Sequence, residues 1–166
     1  MTAGGDENRR PPASPDTPQV VLRAAASLAR RTSAHDKTEA VLLADSAVIH
    51  DSDFSAEPDG RLRSRQLRVG RLPAAGVGLK PPLAQATVMD HAEAQAAAVL
   101  RRRGGPEEAV LVLNHTPCDD PVRPLVCEKI LATILPEGTR LTVFLTDGDR
   151  TWLHKLYVGT GEGIRR

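Results

Sequence analysis

The sequence predicts an α/β domain, a mixed β-sheet with helices packed on it. Segments of helical and strand periodicity follow one another as helix, two strands, helix, strand, helix, two strands, and such an order builds a sheet covered by helices. Only five residues, 147–151, separate the last two strands. A parallel crossover needs a dozen or more, so this pair is an antiparallel hairpin. Aromatic side chains are nearly absent, with Phe54, Phe144, Trp152 and Tyr157 the full set, so the core is built from Leu, Val, Ile and Ala.

Residues 1–19 are rich in Pro, Gly, Ser, Asp and Arg without an apolar period. They read as a disordered tail ahead of one domain spanning residues 20–166. The alanine-rich stretch 20–31 places Val21, Leu22, Ala25 and Leu28 on one helical face, with Arg30 and Arg31 at the C-terminal end that the dipole favours. Residues 38–48 predict a strand around the run Val41, Leu42 and Leu43, and residues 61–72 a second, antiparallel strand after a loop over 51–60. A Pro/Gly loop over 73–82 leads to Asp90, which with Glu93 makes a capping-box pattern for a helix running to about Arg103 and stopping at Gly104-Gly105-Pro106.

Residues 109–114 predict a buried strand. Residues 125–135 predict a helix with Ile130, Leu131, Ile134 and Leu135 on one face, ended by Pro136 and Gly138. Residues 140–146 and 152–158 predict the hairpin strands. Gly159-Thr160-Gly161-Glu162-Gly163 resembles a phosphate loop, but no helix follows it, so it reads as a flexible end.

The formal net charge is +1, which rules out a global basic field; any polyanion contact must come from a local patch. No stretch is long and apolar enough to span a membrane. The N-terminal residues lack the apolar core of a secretory signal. The expectation is a cytoplasmic monomer with no membrane contact, or one exported by a signal-peptide-independent route into a target cell.

The chemistry-bearing residues form one constellation: His91-Ala92-Glu93 at the start of the alanine-rich helix, then Pro117-Cys118, then Cys127. The two thiols could form a disulfide, yet with His-x-Glu upstream metal binding is the better reading. A catalytic zinc takes three protein ligands and leaves a fourth position for water. His91, Cys118 and Cys127 supply three donors. Glu93, about 200° around a helix from His91, can serve as the acid–base. This is the order of the zinc deaminases, H-x-E followed by P-C and a second Cys. Glu93 would take a proton from the attacking water and pass it to the ring nitrogen, and ammonia would leave from the amine-bearing carbon. Each residue also has a plain structural reading: Glu93 as a cap, His91 as a helix histidine, the cysteines as inert loop residues. It is their joint order that points to chemistry.

Three stretches resemble DddA-like deaminases, the toxin-type bacterial cytosine deaminases. They are residues 90–98, opening with Asp90-His91-Ala92-Glu93; residues 110–118, ending in Asn114-His115-Thr116-Pro117-Cys118; and residues 131–143. The resemblance implies a cytidine deaminase-like fold of three layers, α/β/α, with a mixed five-stranded sheet, helices on its faces and an antiparallel C-terminal hairpin. It implies Zn2+ as cofactor, held by His91, Cys118 and Cys127, with Glu93 as proton shuttle and cytosine in DNA, single- or double-stranded, as substrate. One departure stands out: eight residues separate the cysteines here, where the general deaminase pattern has two. A toxin role would also bring a neutralising immunity protein as partner. The alternatives are a deaminase of RNA or free nucleosides and a non-catalytic zinc-stabilised binding module, for which His115 is the candidate fourth ligand.

On the substrate side, Asn114 and His115 are candidates to line the base pocket. Arg61, Arg63 and Arg65 alternate, so they share one strand face and could follow a phosphate backbone, or merely protect a solvated sheet edge. Trp152 and Tyr157 could stack a base, but with so few aromatic side chains the core is the better reading.

Overall fold

The computed structural model describes residues 16–44, 65–69, 75–102 and 105–166, with the backbone alone for 65–69. The predicted tail over 1–19 lies almost entirely outside them. Helix α1 (Gln19–Ala26) is followed by strands β1 (Ala40–Ala44) and β2 (Arg65–Val69). Two short 3-10 turns, Leu83–Gln85 and Thr87–Asp90, lead into helix α2 (Ala92–Leu100). Then come β3 (Glu108–Leu113), α3 (Cys127–Ile134), β4 (Arg140–Thr146) and β5 (Thr151–Val158).

Strands β1, β3, β4 and β5 form the body of the sheet, and β2 pairs along the outer edge of β1, giving the order β2-β1-β3-β4-β5. β3 and β4 run parallel, linked by the crossover that carries α3, and all other neighbours are antiparallel. The predicted hairpin is β4–β5, with a register irregularity between Val143 and Phe144.

Alternation along the strands assigns the layers. Leu42, Leu111, Leu113, Leu141, Val143 and Leu145 point to α2 and α3. Val41, Leu43, Val112 and Phe144 point the other way, to Val21, Ala24, Ala25 and Leu28 of the α1 segment. Helices therefore cover both faces of a mixed sheet. α2 is buried nearly all round, and its run of alanines is what lets it sit close between neighbours.

Helix α2 ends at Leu100, short of the expected Arg103, and three further departures from the sequence reading have a tertiary reason. α1 stops at Ala26 and does not reach Arg31. Ser27 Oγ bonds the Ala24 carbonyl at 2.7 Å. The peptide groups of Ala29 are then taken by distant side chains: Glu39 accepts from its N–H, and Asn114 donates to its carbonyl. Arg30 and Arg31 are thus not a dipole-matched helix end.

α2 starts after His91, not after Asp90. Asp90 belongs to the preceding 3-10 turn, His91 is the N-cap in extended conformation (φ −75°, ψ 151°), and no side chain caps the helix. The Asp90–Glu93 capping box does not form. At its other end, Arg101 donates to the Ile134 and Ala75 carbonyls, tying the ends of α2 and α3 together.

The glycine-rich end is docked, not flexible. Amides of Thr160, Gly161 and Gly163 donate to the carbonyls of Ala132, Leu135 and Thr133, which satisfies the free end of α3. At Gly159 a Cβ would sit 1.9 Å from the Pro136 oxygen, so only glycine permits this approach.

Candidate metal centre and active site

The parallel β3–β4 pair organises the site. The chain leaves β3 at Asn114, passes through His115, Thr116 and Pro117 to Cys118, loops out, and re-enters at Cys127, the first residue of α3. This is the carboxyl end of a parallel strand facing a helix N-terminus, where open α/β sheets place their ligands. His91 and Glu93 enter from the start of α2, which packs on α3.

The eight-residue excursion between the cysteines is tied off locally. Asp120 Oδ1 accepts from the amides of Val122 and Arg123. Lys129 reaches back from α3 to the carbonyls of Asp120 and Arg123. The loop therefore closes on itself and returns Cys127 to Cys118. The Cys127 amide donates to Cys118 Sγ at 3.1 Å, and the Glu128 amide donates to the Cys118 carbonyl at 3.1 Å. These two bonds tie Cys118 to the first turn of α3.

The two cysteines are not bonded to each other. His91 Nδ1 lies 3.5 Å from Cys118 Sγ and 3.3 Å from Cys127 Sγ, and all three donor atoms fall within 4.8 Å of one another. Tetrahedral zinc, with Zn–S of about 2.3 Å and Zn–N of about 2.0 Å, sets neighbouring N and S donors about 3.5 Å apart. The donor set, soft sulfur with imidazole, and its spacing both fit zinc. His115 is not a member of the cluster, so a fourth protein ligand from that residue is not found.

Glu93 is 3% exposed. Burial above all raises its carboxyl beyond the ordinary value. Burial also pushes the Cys127 thiol up, with the Glu93 charge adding to it; coordination to a cation would reverse that penalty. Because His91 sits at the cap, off the helix proper, the 200° separation from Glu93 does not apply. Both line one cavity of about 730 Å³, with Cys118, Gln95, Lys37 and Thr38 among the other walls. The Gln95 side chain donates to the Asp90 carbonyl at 2.8 Å, steadying the turn that presents His91.

This arrangement is that of a hydrolytic deaminase site, and the sequence places the chain accordingly: the SCP1.201-like deaminase model matches residues 14–160. The chain belongs to the SCP1.201-like deaminase family. No curated protein matches it. In this SCP1.201-like deaminase no helix among the described residues is long and apolar enough to cross a membrane.

The substrate-side candidates fare unequally. Asn114 is buried, its Oδ1 accepting from the Glu39 amide at 2.8 Å and its Nδ2 donating to Ala29 O at 3.0 Å. It clamps the α1–β1 connection onto β3 and does not line the metal cavity. His115 is exposed and does line it. Arg61 and Arg63 lie outside the described residues, and Arg65 opens β2 opposite Ala44. Tyr157 is core, its hydroxyl bonding Glu128 Oε2 at 2.5 Å.

Sequence reasoning missed Glu128. Its carboxylate takes hydrogen bonds from Lys155 at 2.7 Å and Tyr157, and sits 3.1 Å from His154 Nε2. Burial opposes its charge, but these β5 partners pull its carboxyl down to about 2. The cluster pins the first turn of α3, and with it Cys127, to β5.

Proposed function

We propose that this deaminase is zinc-dependent and converts cytosine to uracil in DNA, as a toxin-type effector of the DddA-like kind. The observation that carries the reading is the trio His91, Cys118 and Cys127 at zinc-ligand spacing beside a cavity that also holds the buried Glu93. When bound, zinc supplies the Lewis acidity that makes water nucleophilic near neutral pH. Glu93 accepts the proton that the attacking water sheds. It then delivers a proton to the pyrimidine ring nitrogen, and the exocyclic amine leaves as ammonia: cytosine and water give uracil and ammonia. A carboxyl raised by burial suits both halves of that transfer.

Support for a polymeric substrate is the resemblance in residues 90–98, 110–118 and 131–143, together with a cavity open to the surface at His115. The proposed DNA contacts are His115 at the rim of the cavity, with Arg61, Arg63 and Arg65. Asn114 acts indirectly, by holding the loop. A toxin of this kind would require a neutralising immunity protein in the cell that makes it.

The test is incubation of the zinc-loaded protein with cytosine-containing single- and double-stranded DNA, RNA and free cytidine, scored for uracil. Uracil in DNA is expected. Uracil from RNA or cytidine alone would replace the substrate assignment. Glu93→Ala should keep its zinc and lose turnover by about 10²–10⁴-fold. If that variant keeps its full cellular effect, the protein is a zinc-stabilised binding module instead.

A further inference from the structure

A second cleft of about 720 Å³ adjoins the metal cavity, and His115 and Thr116 line both. Its other walls include Arg31, Trp152, His154 and Asp147. Arg31 is the unusual member. Its Nη2 donates to the Ala34 carbonyl at 3.1 Å, while Nε and Nη1 are shielded from solvent and have no acceptor. A guanidinium is charged at any relevant pH, and leaving its donors unpaired is costly.

The Asp36 carboxylate feels the Arg31 charge, but neither Nε nor Nη1 finds a hydrogen-bond partner. The Asp36 carboxylate is engaged by the amides of Thr32 and Ser33, and Asp147 Oδ1 by the amides of Asp149 and Arg150. Burial, and the Arg31 charge after it, hold His115 below the usual imidazole range. Trp152 is half-buried, packed on the core yet lining the cleft.

An unspent planar fork next to an aromatic face is the chemistry that grips a nucleic-acid strand: guanidinium to phosphate, indole to base. We propose that this cleft takes the nucleotide adjacent to the target cytosine. Trp152 stacks on its base, and Arg31, turning its Nε–Nη1 edge outward, pairs with the phosphate that joins the two nucleotides across His115. The inference rests on the deaminase-of-DNA reading and deepens it: a free nucleoside has nothing to place here.

Trp152 is the chain's single tryptophan, so its emission reports this cleft alone. The zinc-loaded Glu93→Gln protein, which binds without turning over, is titrated with a short single-stranded oligonucleotide holding one cytosine. Quenching of Trp152 is expected, and an oligonucleotide abasic at both flanking positions should bind without quenching it. Arg31→Gln in the same background should weaken binding about ten-fold and lower the salt slope by about one. Arg31→Lys, which keeps the charge, should preserve the slope. Quenching that survives removal of the flanking bases overturns the proposal, as does an Arg31→Gln protein of unchanged affinity and slope. Failure of the underlying reading is seen separately, as absence of uracil when the parent protein, Glu93 intact, meets the same oligonucleotide.

Discussion

On one face of the sheet α2 and α3 bury a continuous layer of leucine, isoleucine, valine and alanine; on the other, among the described residues, the α1 segment covers Val41, Leu43, Val112 and Phe144. The thick face carries the cluster of His91, Cys118 and Cys127 and the buried Glu93. The thin face is held largely by polar stitches: Asn114 to Glu39 and Ala29, Glu39 to Ala29, Arg30 to Asp149. Yet the segment after α1 supplies one wall of the metal cavity, through Leu28, Lys37, Thr38 and Glu39. The difference teaches a division of labour. The His91, Cys118 and Cys127 cluster is anchored at the starts of helices locked by apolar packing, whereas the wall that faces the substrate rests on bonds that open at lower cost.

The largest expected effect is at the metal. His91→Ala, Cys118→Ala or Cys127→Ala should abolish stoichiometric zinc and destabilise the fold together, because metal binding and folding are coupled. A loss of about 3 kcal/mol would lower Tm by roughly 6–12 °C in a domain of this size. Metal analysis and calorimetry check both, and unchanged zinc in any of the three variants counts against that ligand.

Paired core truncations come next. Leu131 in α3 is 1% exposed, and Leu43 in β1, facing α1, is 4%. Leu→Ala in a core costs about 2–5 kcal/mol, less where the surroundings can collapse into the hole. Leu131→Ala should fall near the top of that range and weaken zinc binding. Leu43→Ala should fall near the bottom and leave zinc binding alone. Equal denaturation losses and equal metal affinities would erase the distinction between the faces.

How far the sequence carried this picture follows the same line. The hairpin was legible because five residues admit one geometry, and the clustering of His91, Cys118 and Cys127 was legible because His-x-Glu, Pro-Cys and Cys come in a chemically meaningful order. What local patterns could not show is where distant side chains intervene. Asp90 and Glu93 have the right spacing for a capping box, but the 3-10 turn over Thr87–Asp90 shifts the helix start by one and gives the cap to His91. The stretch 20–31 keeps helical periodicity, yet Glu39 and Asn114 claim the Ala29 peptide groups and end the helix early. Glu128 meets His154, Lys155 and Tyr157 only after the sheet has formed. The glycine-rich end resembles a loop in composition, and its docking on α3 depends on backbone contacts that composition does not encode.

Asn114→Ala tests the thin face directly. Losing both bonds of a buried amide should cost about 1–3 kcal/mol, read in urea denaturation, and loosen the cavity wall without changing zinc content. Had Asn114 instead contacted the base, the loss would show in KM with stability intact.

The smallest effect belongs to Arg30 and Asp149. The pair is bidentate, at 2.8 and 3.1 Å, but 60% and 64% exposed. Exposed pairs couple by about 0.2–1 kcal/mol, and salt screens them. The Arg30 stem has a second use. It lies against Gly148, whose φ of +95° forms the β4–β5 turn and where an added Cβ would come within 3.1 Å of Arg30 Cγ. Arg30→Ala should therefore cost slightly more than the double-mutant coupling with Asp149→Ala, and the excess should survive high salt because it is packing, not charge. If the whole loss vanishes at high salt, the stem contributes nothing. The thin face would then be fastened to the hairpin turn by Coulomb attraction alone, a bond too weak to fix the cavity wall that Leu28 and Lys37 share.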